Sequence, residues 1–187
     1  MNNQFGISCI MDENTVNETI SKISDQIYDN FSDMDKLCVI GIRRRGADIA
    51  RKITENLTEK SGGKSPSLGE LDITLYRDDL ATLKELPIFF LTNIPFDIHN
   101  MNLILVDDVL YTGRSVRAAF DALFLMGRPS IIKLAVLIDR GGRELPIHAD
   151  YTGKALDTSA TEYLKVKTRR FDGETAVYLY DKKRSKD

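Results

Sequence analysis

The chain has 187 residues, of which 42% are hydrophobic and 29% are charged, an ordinary composition for a globular protein with a substantial core. The formal net charge of −2 excludes the overall basic excess that is typical of nucleic-acid-binding domains, but it leaves room for a local basic patch. The two cysteines have no metal-ligand spacing, the N-terminus lacks the features of a signal peptide, and no apolar run reaches membrane-spanning length. We therefore expect one domain over residues 1–187, located in the cytoplasm and not associated with a membrane.

The N-terminal part of the chain contains a helical pattern followed by a buried strand. In residues 14–31 the apolar side chains recur three and four positions apart, which predicts an amphipathic packing helix. Residues 37–42 form an uninterrupted apolar run, which predicts a strand that is buried on both faces. A second helical pattern follows from Ala47 onward.

The turn between that strand and the second helix is unusually basic. It consists of Arg43, Arg44, Arg45 and Gly46. Guanidinium groups and backbone N–H groups beside a glycine suit a bound anion. A solvated cluster of surface charges is the alternative interpretation of the same residues.

The next segment is predicted as a loop, a strand and a polar connection. Residues 61–69 are rich in glycine and serine and predict a loop. Residues 70–76 alternate between apolar and polar side chains, which predicts a half-exposed strand, and residues 87–91 form a second short apolar run. The polar residues 77–85 between them are either the tip of a β-hairpin or a lid that closes over a ligand.

The most informative stretch is residues 103–115. Four aliphatic residues predict a central strand that stops at Asp107 and Asp108; a turn containing Gly113 and a helical pattern follow. Unsatisfied N–H groups at the start of that helix suit a phosphate. The two carboxylates would repel a phosphate, so they suit hydroxyl groups or Mg²⁺ instead. Together these groups indicate a phosphorylated ribose; a solvated Asp-Asp turn is the alternative.

The last third of the chain contributes three more strands. Residues 131–138 predict a buried strand that ends at Asp139, and residues 163–168 and 176–180 predict two strands that bracket a turn. Polar, glycine-containing loops thus follow three predicted strands, at Arg43, Asp107 and Asp139. Because the carboxyl ends of parallel strands meet at one edge of a sheet, this edge is the expected ligand site.

The order hydrophobic strand, two acidic residues, Thr-Gly and a small hydroxyl residue resembles the signature of the type I phosphoribosyltransferases. The resemblance implies an α/β fold with a mostly parallel central sheet flanked by helices, a β-hairpin lid and a small C-terminal hood region. It also implies the ligand phosphoribosyl pyrophosphate (PRPP), with Mg²⁺ as cofactor, and a pyrophosphate loop at residues 43–46.

Four segments narrow the resemblance to the PyrR family, the pyrimidine operon attenuation proteins that also act as uracil phosphoribosyltransferases. These segments are residues 72–80, 106–115, 134–141, and 143–147 together with 149–151. The similarity extends from about Ile10 to Tyr180. It implies a pentosyltransferase of pyrimidine salvage that converts uracil and PRPP into UMP and pyrophosphate.

The resemblance also implies a role for each site residue. Asp107 and Asp108 would hold the ribose hydroxyls and stabilise positive charge at the anomeric carbon. Arg77 would join the arginines that stabilise the departing pyrophosphate when the lid closes. Asp139 would reach magnesium through water, and the backbone of Ile138, Asp139 and Arg140 would face the base. Pyrophosphate would bind to Arg43, Arg44, Arg45 and Gly46. The PRPP phosphate would bind to Val109, Leu110, Tyr111, Thr112, Gly113, Arg114 and Ser115.

The features that the resemblance associates with RNA binding are sparse. Gly142 and His148 replace the histidine and arginine of the family pattern. The cations that remain for RNA are Lys22, Arg143 and Lys154. Because phosphate contacts dominate nucleic-acid affinity, we expect RNA binding to be weak or absent.

Two other functions remain open at this point. One is a UMP-responsive RNA-binding attenuator of transcription with little catalysis, and the other is a phosphoribosyltransferase for a base other than uracil. The resemblance further suggests a homodimer or a higher homo-oligomer.

Overall fold

The computed structural model describes residues 6–76, 92–159 and 161–181. Two sheets and three long helices make up this part of the chain. The strands are β1 Gly6–Met11, β2 Leu37–Ile42, β3 Ser67–Leu71, β4 Asn102–Leu110, β5 Ile131–Asp139, β6 Tyr151–Ala155, β7 Glu162–Lys167 and β8 Ala176–Asp181. The helices are α1 Glu13–Asn30, α2 Arg45–Lys60, α3 Arg114–Met126 and the single turn α4 Arg169–Asp172, with short 3₁₀ turns at Met34–Lys36 and Thr74–Tyr76.

A five-stranded parallel sheet in the order β3-β2-β4-β5-β6 forms the centre of the fold. Its inner strands read as continuous apolar runs because successive side chains alternate between two buried faces. In β4, Ile104 and Val106 pack with α1 and α2, whereas Leu103 and Leu105 pack with α3. The predicted mostly parallel sheet flanked by helices is confirmed.

A smaller antiparallel sheet in the order β1-β8-β7 completes the fold. β7 and β8 form the predicted C-terminal hairpin, whose turn contains α4 and Gly173 at φ 77°. Val166 and Val177 pack this sheet onto the core that α1 and α2 share with the central sheet. Within the described ranges, no helix has the length and hydrophobicity needed to cross a bilayer.

The prediction of a strand over residues 70–76 is wrong. β3 starts earlier, at Ser67, inside the predicted loop, and ends at Leu71. The chain then turns because the Asp72 carboxylate accepts hydrogen bonds from the N–H and hydroxyl of Thr74, at 2.9 and 2.6 Å. The predicted apolar run at residues 87–91, the hairpin lid and its polar segment at 77–85 lie outside the described residues.

The prediction that the central strand stops at Asp107 is also wrong. β4 continues to Leu110 because its pairing with β5 continues through Asp107↔Val136 and Val109↔Ile138 to Leu110↔Asp139. Both aspartates are therefore strand residues. Up to Val106, β4 pairs with β2 on one side and β5 on the other; beyond Val106, it pairs with β5 alone. The three strands that end in polar loops, β2, β4 and β5, are adjacent and parallel, so their carboxyl ends do meet at one edge.

Candidate active site

The acidic pair occupies the end of β4. Asp107 is buried, with 7% of its surface exposed, and Asp108 is partly buried. One oxygen of the Asp107 carboxylate accepts the N–H of Asp108 at 2.9 Å, and one oxygen of Asp108 accepts the N–H of Val109 at 3.0 Å. The backbone thus fixes both carboxylates, which is the preorganisation that a site for sugar hydroxyls needs.

Withdrawal from water raises the pKa of Asp108 above its ordinary value. A hydrogen bond with Asp107, the charge of Arg45 and the N–H of Val109 offset part of this effect. The ionised form of Asp108 is therefore less stable in the folded protein than in water. A ligand that brings hydrogen-bond donors to this carboxylate would relieve that cost.

The loop after β4 leads into α3 through a left-handed glycine. Gly113 precedes the first helical residue, Arg114, and has φ 90°, a conformation that favours glycine. A Cβ there would also lie 3.3 Å from the side chain of Ile147. The amides of the first turn of α3 have no acceptor within the helix, as the predicted phosphate site requires.

A second loop supports the phosphate loop from the side. The N–H groups of Glu144 and Leu145 donate to the carbonyl of Thr112 at 3.0 and 3.1 Å. The Glu144 carboxylate accepts the Arg114 Nε–H at 2.6 Å, so the Arg114 side chain already has an anionic partner. The side chain of Leu110 is buried in the core on the α3 face of the sheet, and that of Val109 packs against the core on the opposite face. These two side chains therefore serve packing, so the predicted phosphate site is left to the residues from Tyr111 onward.

The three arginines of the basic loop have different surroundings. Arg43 pairs with Glu70 at 2.9 Å, and Arg45 forms a two-point contact with Asp172, at 2.8 and 3.1 Å. Arg44 is exposed and, within the described residues, forms no ion pair. The peptide bond between Arg43 and Arg44 is cis. The structure therefore divides the triplet into two anchored side chains and one that projects into solvent.

Gly46 brings this basic loop against the acidic pair. A Cβ on Gly46 would lie 2.7 Å from the carbonyl oxygen of Val106 and 3.1 Å from the Cα of Asp107. Only a glycine allows the start of α2 to approach β4 this closely. The predicted pyrophosphate and ribose sites are therefore direct neighbours.

Asp139 at the end of β5 is bound within the protein. One oxygen accepts the N–H of Gly141 at 3.0 Å, and the other accepts Nη2 of Arg143 at 2.5 Å. Burial alone would raise the pKa of Asp139, but the hydrogen bonds from Arg143 and Gly141 outweigh it, and the pKa lies below its ordinary value. Its predicted contact with magnesium through water stays a prediction.

Arg143 connects three loops at this edge of the sheet. Besides Asp139, its guanidinium donates to the carbonyls of Ile147 at 2.8 Å, Tyr111 at 2.9 Å and Gly141 at 3.2 Å. All three guanidinium nitrogens, Nε, Nη1 and Nη2, therefore donate within the protein. Its predicted role in RNA binding therefore competes with an internal structural role.

The predicted base-binding residues are placed differently from one another. Ile138 is fully buried within β5. The Arg140 guanidinium lies 4.0 Å from the centre of the Tyr111 ring and donates to the Thr158 hydroxyl and the carbonyl of Glu162. The backbone N–H of Arg140 donates to the carbonyl of Leu110. Arg77, predicted to act on lid closure, lies outside the described residues.

Comparisons with known proteins show the family of this chain. The phosphoribosyl transferase domain family matches residues 10–164. "Bifunctional protein PyrR" of Caldicellulosiruptor bescii is 51% identical over 170 residues, covering 91% of this chain and 93% of that protein. The protein of the same name from Deinococcus radiodurans is 46% identical over 172 residues, covering 92% and 93%. The chain belongs to the PyrR family of phosphoribosyltransferases.

Two solved structures share the fold of this PyrR family member. A hypoxanthine phosphoribosyltransferase of Trypanosoma cruzi superposes with a TM-score of 0.73 at 15% identity, covering 98% of this chain and 96% of that one. A hypoxanthine-guanine phosphoribosyltransferase of Bacillus anthracis gives 0.70 at 16% identity, covering 94% and 98%. At this identity the likeness concerns the fold alone.

Sequence reasoning missed three acidic residues that hold the loops of this PyrR family member. Glu70 anchors Arg43, Asp172 anchors Arg45, and Glu144 anchors Arg114. Each lies 27 to 127 positions from its partner, so no local spacing connects them. Asp172 lies in a predicted turn, but acidic residues are common in turns, so its position gave no indication that it pairs with Arg45.

Proposed function

We propose that this protein is a uracil phosphoribosyltransferase that converts uracil and PRPP into UMP and pyrophosphate. The observation that carries the proposal is the junction at Gly46, which seats the basic loop directly against the Asp107 backbone in a chain of the PyrR family. A sugar that carries a phosphate at one end and a diphosphate at the other needs these two surfaces side by side.

In the proposed reaction, the bond between the anomeric carbon and the pyrophosphate oxygen breaks, and a bond to a ring nitrogen of uracil forms. The departing pyrophosphate keeps the bonding electrons, and the ring nitrogen releases its proton. Asp107 and Asp108 would hold the ribose hydroxyls and oppose the positive charge that develops on the sugar. The amides after Thr112 would hold the 5′-phosphate, and Arg44 would contact the departing group.

Magnesium dependence is part of the proposal. Within the described part of the chain, no group of three or more histidine, cysteine or acidic side chains could hold a metal ion. Mg²⁺ commonly binds one or two carboxylates together with substrate phosphates, which fits the adjacent Asp107 and Asp108. When bound, the ion would neutralise charge on the pyrophosphate.

A turnover assay with labelled PRPP and a panel of bases tests this proposal. We expect uracil to be consumed in preference to orotate, hypoxanthine, guanine and adenine, with Mg²⁺ required. Consumption of a purine alone would contradict the substrate, and no turnover with any base would contradict the catalytic activity.

The curated relatives are named bifunctional, so RNA binding is the second candidate activity. Lys22 and Lys154 are exposed on neighbouring elements, since Gly153 of β6 lies against Thr19 and Ile23 of α1. Arg143 is engaged inside the protein, so Lys22 and Lys154 are the two predicted RNA contacts that stay accessible. The net charge of the chain is −2, which does not favour a polyanion such as RNA. We propose that RNA binding is weak.

Gel-shift titration against a pyrimidine-leader hairpin at low and at moderate salt tests this second proposal. We expect retardation only at low salt and high protein concentration. Tight binding that weakens steeply with salt would contradict it, and Lys22→Ala together with Lys154→Ala would then identify the surface.

We further propose that the protein forms a homodimer through the exposed end of α3. Phe124, Leu125 and Met126 expose 60%, 77% and 43% of their surfaces, and Ile131 at the start of β5 exposes 38%. Large exposed apolar side chains that lie together are typical of protein–protein interfaces.

A further inference from the structure

The turn between β7 and β8 contacts the basic loop across 127 positions of sequence. The Asp172 carboxylate accepts Nη2 and Nε of Arg45 at 2.8 and 3.1 Å. A two-point contact of this kind fixes both the position and the plane of a guanidinium group. Arg45 is therefore oriented by a residue outside the central sheet.

Asp172 is itself held rigidly within the turn. Its carboxylate accepts the N–H of Thr168 at 3.0 Å, and Gly173 at φ 77° ends α4 immediately after it. The bond from Arg45, together with that of Thr168, lowers the pKa of Asp172 despite its partial burial, so the carboxylate is ionised at neutral pH. The anchor is charged, partly buried and fixed in orientation.

The same turn reaches the other anchored arginine through a second set of contacts. Thr168 Oγ1 donates to Asp48 at 2.7 Å, and Arg170 lies 3.6 Å from Asp48 and 3.5 Å from Glu70. Glu70 is the partner of Arg43, at 2.9 Å. The turn thus holds Arg45 directly through Asp172 and contacts Glu70, the residue that pairs with Arg43.

We propose that Asp172 is a positioning residue for pyrophosphate: it fixes Arg45, and with it the basic loop that would receive the diphosphate of PRPP. This inference rests on the proposed function. Asp172 acts through Arg45, because its carboxylate contacts the loop there. Its loss should therefore weaken the binding of ligands that carry a diphosphate and spare ligands that lack one.

Calorimetric titration of Asp172→Asn with magnesium pyrophosphate and, separately, with UMP tests the proposal. We expect the dissociation constant for pyrophosphate to rise about tenfold, as for the loss of one charged contact. The dissociation constant for UMP should change less than twofold. A merely structural role would weaken both ligands equally, and that result, or unchanged pyrophosphate binding, would overturn the proposal.

A double-mutant cycle identifies the route of the effect. In an Arg45→Ala background, Asp172→Asn should add less than a twofold change in pyrophosphate binding, because its target is gone. An undiminished effect in that background would overturn the assignment to Arg45. Asp172→Glu retains the charge and should recover part of the affinity; it also serves as the test variant if Asp172→Asn fails to fold.

Glu174→Gln is the matched control on the same hairpin. Glu174 pairs with Lys167 at 2.6 Å and accepts the Tyr178 hydroxyl at 3.0 Å, and neither partner belongs to the basic loop. We expect both dissociation constants to stay at the wild-type values. Wild-type protein that binds neither ligand would contradict the proposed function, whereas normal wild-type binding with an unchanged Asp172→Asn variant contradicts the positioning role alone.

Discussion

At the residue scale, Asp108 combines a proposed functional role with an energetic cost. Its raised pKa means that the ionised carboxylate is less favourable in the folded chain than in the unfolded chain, so its charge destabilises the fold at neutral pH. We expect Asp108→Asn to raise Tm by roughly 2–4 °C, the shift that about 1 kcal/mol causes in a protein of this size. Turnover should fall at least a hundredfold, because a neutral amide opposes positive charge poorly.

The pH dependence of this effect follows from the sign of the pKa shift. As the pH falls toward the ordinary carboxyl value of about 4, the wild-type side chain becomes protonated, and the difference in Tm between variant and wild type should narrow. Scanning calorimetry across this range measures it. Asp121→Asn, in an exposed pair with Arg117, is the control and should leave Tm nearly unchanged. A lower Tm for Asp108→Asn would contradict the argument.

Gly46 is the residue at which two proposed subsites meet. We expect Gly46→Ala to destabilise the fold by about 1–3 kcal/mol, because the new methyl group would lie 2.7 Å from the Val106 carbonyl. The gain in helix propensity, about 1 kcal/mol, does not compensate for this contact. The value of kcat/KM should fall at least tenfold, as measured in steady-state assays. Lys52→Ala on the exposed side of α2 is the control; equal behaviour of the two variants would refute the steric explanation.

At the element scale, burial decides which strands the sequence could predict. β2, β4 and β5 lie inside the sheet with both faces covered, and their apolar runs are unmistakable. β1 and β6 lie at sheet edges with mostly exposed or half-exposed side chains, and neither was predicted. The error at residues 70–76 has a different cause. Apolar and polar side chains continue to alternate after Asp72, but the Asp72 carboxylate accepts the N–H of Thr74 and the chain turns there.

The loop after β5 depends on the guanidinium of Arg143. We expect Arg143→Ala to destabilise the protein by about 2–3 kcal/mol, because it removes a donor that one oxygen of Asp139 and three carbonyls share in a partly buried site. Chemical denaturation measures this. The carboxylate of Asp139 stabilises the fold above its ordinary pKa, and this contribution is lost as the pH falls through its lowered value. The variant should therefore lose the corresponding part of its acid sensitivity.

Arg114→Ala is the matched control for that experiment, since Arg114 also pairs with an acidic residue of the same loop but is half exposed. Its cost should stay below about 1 kcal/mol. If Arg143→Ala were as mild as this control, the internal role assigned to Arg143 would be wrong, and the side chain would become available for the RNA contact that the sequence suggested.

At the scale of the whole molecule, the meeting of the three polar loops was predictable from the sequence, and the contacts that hold these loops were not. Three polar loops after β2, β4 and β5 meet at one edge because adjacent parallel strands point the same way. The pairing of Arg45 with Asp172 depends on how the antiparallel sheet packs onto the central one, through Val166 and Val177. No periodicity within either segment contains that information.

The exposed end of α3 sets the expected assembly. Leu125 exposes 77% of its surface beside Phe124, whose ring centre lies 6.2 Å from that of Phe120. We expect Leu125→Glu to convert a dimer into a monomer, because a second copy would have to bury the new carboxylate without a partner. Sedimentation velocity measures the change.

Ile7→Glu is the control for that experiment, since Ile7 is also a large exposed aliphatic side chain, at 58%, but lies on β1 in the antiparallel sheet. It should sediment as the wild type does. A dimer that survives Leu125→Glu but dissociates with Ile7→Glu would move the interface to the antiparallel sheet, where the turn that holds Arg45 would then be the element most directly affected by assembly.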